Sequence, residues 1–332
     1  MVWEYIPLLR PEQVISSLYK GILRRHPDKA GKNYYMKLLK RGMPLDKIVQ
    51  TLVNSAEFDL NRVVSLGPLD ALSANAIQFD LSGEQREMLW EHIEKAWSKM
   101  GEDEPFYSVI NSDRFRHRDI SAAAIDQFYN SGEADICRAE EYLSRHGRAL
   151  PQDGLCVDYG CGVGRVTLWL ARRCKRVLAI DVSDAHLRIA RQALAERGIS
   201  NVEFYLLRER SGLSMLKGID FFYSMIVLQH NPPPLIAEIL QHAFEGLNEG
   251  ASAFFQVPTY GKDYTWNFES YATTNFLDGG MEMHVVPQSV IFALASRAAC
   301  LPLEVQPDGC TGLPHWISNT FVFAKPGTST PI

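Results

Sequence analysis

VDYGCGVGRV, residues 157 to 166, puts three glycines into five positions directly after a short apolar run. LCVDY (155–159) reads as a strand, and VTLWLARR (166–173) as a helix with Val166, Trp169 and Leu170 facing inward. The glycines therefore stand in a strand-to-helix turn. Lacking a β-carbon, each can take torsions that other residues avoid, and a ligand can come close to the backbone.

Beyond this turn the chain alternates. RVLAID (176–181) is a second strand, and SDAHLRIARQALAERG (183–198) a helix with Ser183 as cap and Gly198 as stop. VEFYLL (202–207) and IDFFYSMIVLQ (219–229) follow as strands. NPPPLIAEILQHAFEGL (231–247) repeats its apolar residues with period 3.6, with Asn231 expected as cap and Pro232 in the first turn. ASAFFQV (251–257) is the next strand. Right-handed crossovers turn such a series into a parallel sheet with helices on both faces, a doubly wound α/β fold.

Ligands of such sheets sit outside the carboxyl ends of the strands, near the switch point. Gly160, Gly162 and Gly164 fall there. Asp181, seventeen residues past Gly164, ends the second strand, where a carboxylate can accept two hydrogen bonds from a ribose diol. A dinucleotide fingerprint is GxGxxG with open helix N–H groups for pyrophosphate. Here the third glycine arrives one residue early, and Asp158 precedes the first by two. A carboxylate so placed opposes pyrophosphate but could help to hold an ammonium group. A ligand cationic at one end with a ribose in its middle is wanted, and S-adenosylmethionine meets both conditions.

VDYGCGVGR, Asp181 within VLAIDVS, and FFYSMIVLQH resemble the first motif, the second acidic position and the fourth strand of the class I S-adenosylmethionine-dependent methyltransferases. The resemblance covers roughly 150–325 and implies a Rossmann-like sheet of seven strands, six parallel and the last antiparallel. PQSVIFALASRAA (287–299) then reads as a helix, LEV (303–305) as the sixth strand and SNTFVFA (318–324) as the seventh. It implies cofactor contacts from Asp158, Gly160, Cys161, Gly162, Gly164 and Arg165, from Asp181 and Val182, and from Leu228 and Gln229. Many members carry an acidic residue after the third strand, near the adenine amine, whereas this chain reads YLLRER with Glu209 displaced.

Methyl transfer from a sulfonium is an in-line displacement, so a protein supplies alignment, exclusion of water and, for a hydroxyl or protonated amine, a base. The sequence has no HExxH and no tight His/Cys cluster, and no metal is expected. An unusually long connection, 258–287, carries Tyr260, Tyr264, Trp266, Phe268, Tyr271 and Phe276. The loop DGCTGLPHWIS adds Asp308, His315 and Trp316. Both start on the ligand side, and their rings are expected to shape an acceptor pocket for a ring-bearing or sugar-like molecule. His230, His284 and His315 are the candidate bases, with Glu282 and Asp308 as partners or substitutes. If MEMH (281–284) is extended, Glu282 and His284 point the same way.

Ahead of the sheet, residues 1–60 form a small helical module with ten Lys or Arg against six Asp or Glu. Three helices are expected: one from ISSLYKGILRR, one from NYYMKLLKRG after a break at HPDKAG, and one from Pro44 to Val53. LYKGILRRHPDKAG, Tyr34, Leu38, Gly42 and SAEF resemble a bacterial module of unknown function that accompanies enzymes of cell-surface polysaccharide modification. That resemblance implies a context, a sugar or nucleotide-sugar intermediate, and a surface for a protein partner. Residues 61–149 read as a linker and helices capping the cofactor site, among them SGEQREMLWEHIEKAW, capped by Ser82, and AIDQFYNSGEAD, which brings Tyr129 and Gly132 towards the cofactor. Arg114, Arg116, His117 and Arg118 form a basic knot. Residues 150–326 form the catalytic domain, with its acceptor insertion at 258–287, and 327–332 a flexible tail.

Formal net charge is −5, so no global positive field recruits nucleic acid. NPPP (231–234) resembles the (N/D)PP(Y/F) signature of nucleobase methyltransferases, but Pro234 stands where their stacking aromatic would be. Nucleic-acid methylation is thus a rival function, as are a cofactor-binding scaffold without turnover and an NAD-dependent oxidoreductase. The six cysteines form no CxxC pair, the amino terminus lacks a signal-peptide pattern, and no apolar run is long enough to cross a bilayer. A soluble cytoplasmic protein is the resulting expectation.

Overall fold

The computed structural model describes residues 10–23, 26–53, 55, 75–116, 120–274, 281–313 and 315–327. Phe276, His117, Arg118 and most of SAEF lie outside these residues. The chain divides into two units, 1–73 with 313–315, and 74–312 with 316–332.

The first unit holds α1 (Pro11–Leu18), which runs into a π turn (Tyr19–Leu23), then α2 (Lys29–Lys40) and α3 (Leu45–Val53). HPDKAG is only partly the expected break. Asp28 accepts the N–H of Gly31 at 2.7 Å and starts α2 within that stretch. Ile15, Tyr19, Leu23, Tyr35, Ile48 and Leu52 make a small core.

Among the described residues, the main sheet of the second unit has seven strands: β1 (Leu155–Tyr159), β2 (Arg176–Asp181), β3 (Val202–Leu206), β4 (Ile219–Ser224), β5 (Leu247–Gly261), β6 (Leu301–Pro307) and β7 (Trp316–Ala324). Their order is β3-β2-β1-β4-β5-β7-β6, with only β7 antiparallel to its neighbours. This is the expected sheet, and its order reverses at β1. Period-2 alternation sends successive residues to opposite faces. Val157, Tyr159, Phe222 and Phe255 join one core with α4 (Gly83–Asp103), α8 (Pro233–Gly246) and α10 (Gln288–Arg297). Cys156, Phe221, Tyr223 and Phe254 join the other with α5 (Ala122–Arg145), α6 (Thr167–Ala171) and part of α7 (Asp184–Glu196).

The sequence signals locate most helix starts. Ser82 and Ser183 cap α4 and α7 as expected, accepting from Gln85 N (3.1 Å) and His186 N (3.4 Å). Asn231 does not cap α8. That helix begins after Pro232, and the Asn231 amide instead donates to the carbonyls of Val227 and Leu228. Consecutive prolines push the start forward because each fixes φ and lacks a donor. β5 runs four residues past Val257 and carries Tyr260, which pairs with Ile317. Within the connection that remains, Thr265–Trp266 pairs with Ala76–Ile77, and a short helix, α9, covers Phe268–Thr274.

Candidate functional site

The turn after β1 is tied to the neighbouring strand: the N–H groups of Gly160 and Cys161 both donate to the carbonyl of Ile180, at 2.8 and 2.9 Å. Gly160, Gly162 and Gly164 have φ of 75°, 52° and 83°, the left-handed region. A β-carbon on Gly160 would lie 2.3 Å from Val227, and one on Gly162 2.6 Å from Val109. On Gly164 it would press on Leu194 and Ala190, so this glycine serves the packing of α7.

A cavity opens at the carboxyl ends of β1, β2 and β4. Its wall includes Gly160 and Gly162 from the turn, Asp181 and Val182 from the tip of β2, and Leu207 beyond β3. Met225, Ile226 and Val227 close it after β4, while Ile93 and Trp97 of α4 with Ser108 and Val109 cover it. Asp181 is buried and doubly held: Oδ2 accepts from Gly162 N at 2.8 Å and Oδ1 from Ser183 N at 2.9 Å. His186 of α7 also borders the cavity, with Nε2 2.8 Å from Ser108 Oγ and Nδ1 3.5 Å from Asp181 Oδ1.

The other residues expected at the cofactor stand behind this wall. Asp158 is buried beneath the turn and accepts from Thr167 Oγ1 at 2.6 Å. Burial raises its carboxyl to about 6, against the pull of that hydroxyl and of Arg165. Cys161 packs with Ala179 and Leu187. Arg165 turns to α5, pairing with Asp135 and reaching Ser131. Tyr129 and Gly132 of α5 brace the turn: Tyr129 donates to the carbonyl of Val163 at 2.9 Å, and a β-carbon at Gly132 would strike the Arg165 carbonyl at 2.4 Å. Leu228 and Gln229 are buried, and Gln229 accepts from Gln256 Nε2 at 2.9 Å. Glu209 is exposed and accepts from Ser211.

A second cluster gathers around Glu282. Its Oε1 meets His92 Nε2 at 2.9 Å, and its Oε2 accepts from Tyr271 at 2.6 Å and meets His284 Nε2 at 2.9 Å. His284 Nδ1 lies 2.8 Å from the Tyr264 hydroxyl. Burial alone would raise the Glu282 carboxyl, but hydrogen bonds from His284, His92 and Tyr271 overcome it and hold the group down at about 2. Trp316 packs on Tyr264 with ring centroids 5.5 Å apart, and Trp266 on Tyr271 at the same distance. His230 joins this cluster through Nδ1, 2.6 Å from the Glu282 carbonyl oxygen.

Asp308 closes its own turn, accepting from Cys310 N and Thr320 Oγ1, each at 2.8 Å. His315 is exposed with φ of 67°. Arg114 lies over Phe115 and Arg116 over Tyr107. Among the described residues no group of three or more His, Cys, Asp or Glu could hold a metal, and no helix is long and apolar enough to cross a membrane.

A family model described as "Methyltransferase domain" matches residues 156–250, and one described as "Domain of unknown function (DUF4214)" matches 8–61. Over 68 residues, 20% of this chain and 37% of the relative, the sequence is 38% identical to a "Probable cobalt-precorrin-6B C(15)-methyltransferase (decarboxylating)" of Methanocaldococcus jannaschii. Over 158 residues, 46% of this chain and 62% of the relative, it is 30% identical to a "Probable O-methyltransferase" of Mycobacterium tuberculosis. The chain thus spans less than two thirds of the length of these curated relatives. Among solved structures, the magnesium protoporphyrin IX methyltransferase of Synechocystis PCC 6803 with bound SAH aligns with a TM-score of 0.48 at 16% identity, over 70% of this chain and 98% of that one. Strand order, the glycine turn and the domain match over its first strands agree: the second unit carries the class I S-adenosylmethionine-dependent methyltransferase fold.

Proposed function

We propose that the protein is an S-adenosylmethionine-dependent methyltransferase acting on a small-molecule acceptor. The observation that carries this reading is Asp181 at the cavity wall. Each of its oxygens spends one acceptor site on a backbone N–H, from Gly162 or Ser183, and keeps capacity for a ribose hydroxyl. The fit extends along the wall. Gly160 and Gly162 line the cavity, their missing β-carbons making room for Val227 and Val109, and Ile180, Leu207 and Val227 offer apolar surface for a base. Asp158 under the turn would supply negative charge for an ammonium group. When bound, the sulfonium supplies an electrophilic methyl and departs as a neutral thioether.

The aromatic cluster of Tyr264, Trp266, Tyr271 and Trp316 supports an acceptor with a ring, since sugar and heterocycle faces both pack on aromatic side chains. The helical module supports a sugar or nucleotide-sugar intermediate of cell-surface polysaccharide. Of the candidate bases, His284 has one nitrogen on Glu282 and the other on Tyr264, which makes it a link within the cluster. A crystal grown with S-adenosylhomocysteine and then soaked with nucleotide sugars tests both levels. Ribose hydroxyls on Asp181 with a sugar among the four rings would support the proposal. A ligand bound away from Asp181 would refute the first level, and a sugar remote from the rings the second.

A further inference from the structure

We infer that the acceptor is a hydroxyl or amine that surrenders a proton during transfer, and that His230 Nε2 takes it, its tautomer set by a hydrogen-bond chain that runs through Gln256 and Gln229. The inference rests on the methyltransferase reading.

Both ends of this chain are backbone groups of fixed polarity. At one end the Ile226 N–H can only donate, and it meets Gln256 Oε1 at 3.1 Å. Gln256 must then present Nε2 on its other side, where it donates to Gln229 Oε1 at 2.9 Å and to Ser318 Oγ at 2.6 Å. Gln229 in turn shows its own Nε2 to His230 Nε2, at 3.4 Å. An amide N–H₂ cannot pair with a ring N–H, so His230 Nε2 carries a lone pair. At the opposite end the Glu282 carbonyl can only accept, and His230 Nδ1 stands 2.6 Å from it. Nδ1 therefore carries the hydrogen. Two independent anchors dictate the same tautomer.

Gln256 is fully buried, so water does not compete for its amide. It also holds Ile226 at φ 58°, a conformation that a β-branched side chain strongly resists. Ile226 is part of the cavity wall, and so are Met225 and Val227 beside it. His230 ends the single helical turn Leu228–His230 that follows them, and the ring of Trp97, another wall residue, lies 5.1 Å from the imidazole. One amide thus sets both the wall beyond β4 and the face of the imidazole beside it. The charged and titratable groups facing His230 are Glu282 and His284. Burial lowers the imidazole to about 4, opposed by the Glu282 carbonyl, which leaves it neutral near physiological pH.

The transfer balances with this base. The carbon–sulfur bond breaks with its electron pair left on sulfur, and an acceptor lone pair forms the new bond to the methyl carbon. The acceptor's O–H or N–H bond breaks, its pair stays on the acceptor atom, and the proton joins His230 Nε2. One positive charge is lost from sulfur and one appears on the imidazole, which the carbonyl and carboxylate of Glu282 stabilise. A carboxylate acceptor would need no such group. The 3.4 Å contact from Gln229 is long enough to yield to an incoming hydroxyl.

The test is nuclear magnetic resonance of the full chain with ¹⁵N-labelled histidine, His230 being assigned by its loss in His230→Gln. The expected result is a neutral ring near pH 7 with Nδ1 protonated and Nε2 bare. Gln256→Glu still accepts from Ile226 but cannot donate to Gln229, and it is expected to shift the His230 Nε2 signal while the Glu282 carbonyl keeps Nδ1 protonated. An Nε2-protonated ring or an imidazolium in the native protein would overturn the inference, as would unchanged signals in Gln256→Glu. Should that variant not fold, the native tautomer alone decides. Calorimetry with S-adenosylhomocysteine on the same sample separates the two readings. Binding with the wrong tautomer removes only the base, whereas the right tautomer without binding removes the methyltransferase reading and the base role with it.

Discussion

Asp181 Oδ2 accepts the backbone N–H of Gly162 at 2.8 Å, so the tip of β2 and the glycine turn after β1 are one assembly. The residue assigned to the ribose also fixes the loop beside it. Asp181→Ala removes both. Charge-assisted hydrogen bonds contribute about 1.5–3 kcal/mol each, and stranded buried N–H groups cost about 1–3 kcal/mol. Affinity for S-adenosylhomocysteine is expected to fall by roughly 100-fold or more, with stability lowered by about 1–3 kcal/mol. Calorimetry and thermal melting read the two effects, and unchanged affinity would contradict the ribose assignment.

Gly162→Ala confronts two obstacles, a φ of 52° and a contact of 2.6 Å to Val109 Cγ2. It is expected to lower stability by about 1–3 kcal/mol. Val109→Ala added to it should restore the part caused by collision and leave the part caused by torsion. A double variant no more stable than Gly162→Ala would show that the contact with Val109 is not the cause.

Asp158 gives a proton-linkage prediction. Burial places its carboxyl at about 6, so near that pH it is about half protonated. An ammonium group held by Asp158 would keep it ionised, and cofactor binding would release protons there and far fewer at pH 8. Binding enthalpies measured in buffers of different ionisation heat should diverge near pH 6 and converge at pH 8. Enthalpies independent of buffer at both pH values would remove Asp158 from the amino-acid end of the ligand.

Acid stability should report Glu282. The carboxyl sits at about 2 in the folded chain against an ordinary 4.5, so the unfolded chain binds the extra proton first. Its contribution is fully present above about 4.5 and is lost as pH falls towards 2. His230, at about 4 against 6.5, acts in the same direction over a higher window, while Asp158, raised from 3.8 to about 6, opposes it. Glu282→Gln is expected to cost about 1–3 kcal/mol near neutrality and to flatten the decline below pH 4.5. Urea melts across pH check this, and a parallel curve for the variant would contradict it.

The sheet is legible in the sequence because its signals are local. A glycine turn, a carboxylate at a strand tip and helices of period 3.6 each occupy a short window, while the count of seven strands with the last antiparallel comes from the family resemblance. Glu282 and His284 are visible as neighbours in one extended segment for the same reason. His92 is not, since it reaches Glu282 across 190 positions and its helix reads as an ordinary amphipathic one. Trp97, Ser108 and Val109 meet the cavity only through the packing of the residues before the sheet. The family resemblance points to residues 228 and 229, yet 225 to 227 line the wall, where the chain takes a left-handed kink at Ile226. In sequence Gln256 is one polar residue in an apolar strand, and its partners come from two other segments, the stretch after β4 and β7.

Calorimetric titration of the purified protein with S-adenosylhomocysteine and, separately, with NAD is the most direct measurement of the central claim. One-to-one binding of the first at micromolar affinity or tighter, with the second silent, is the predicted result. Uptake of NAD with no response to S-adenosylhomocysteine would contradict the account.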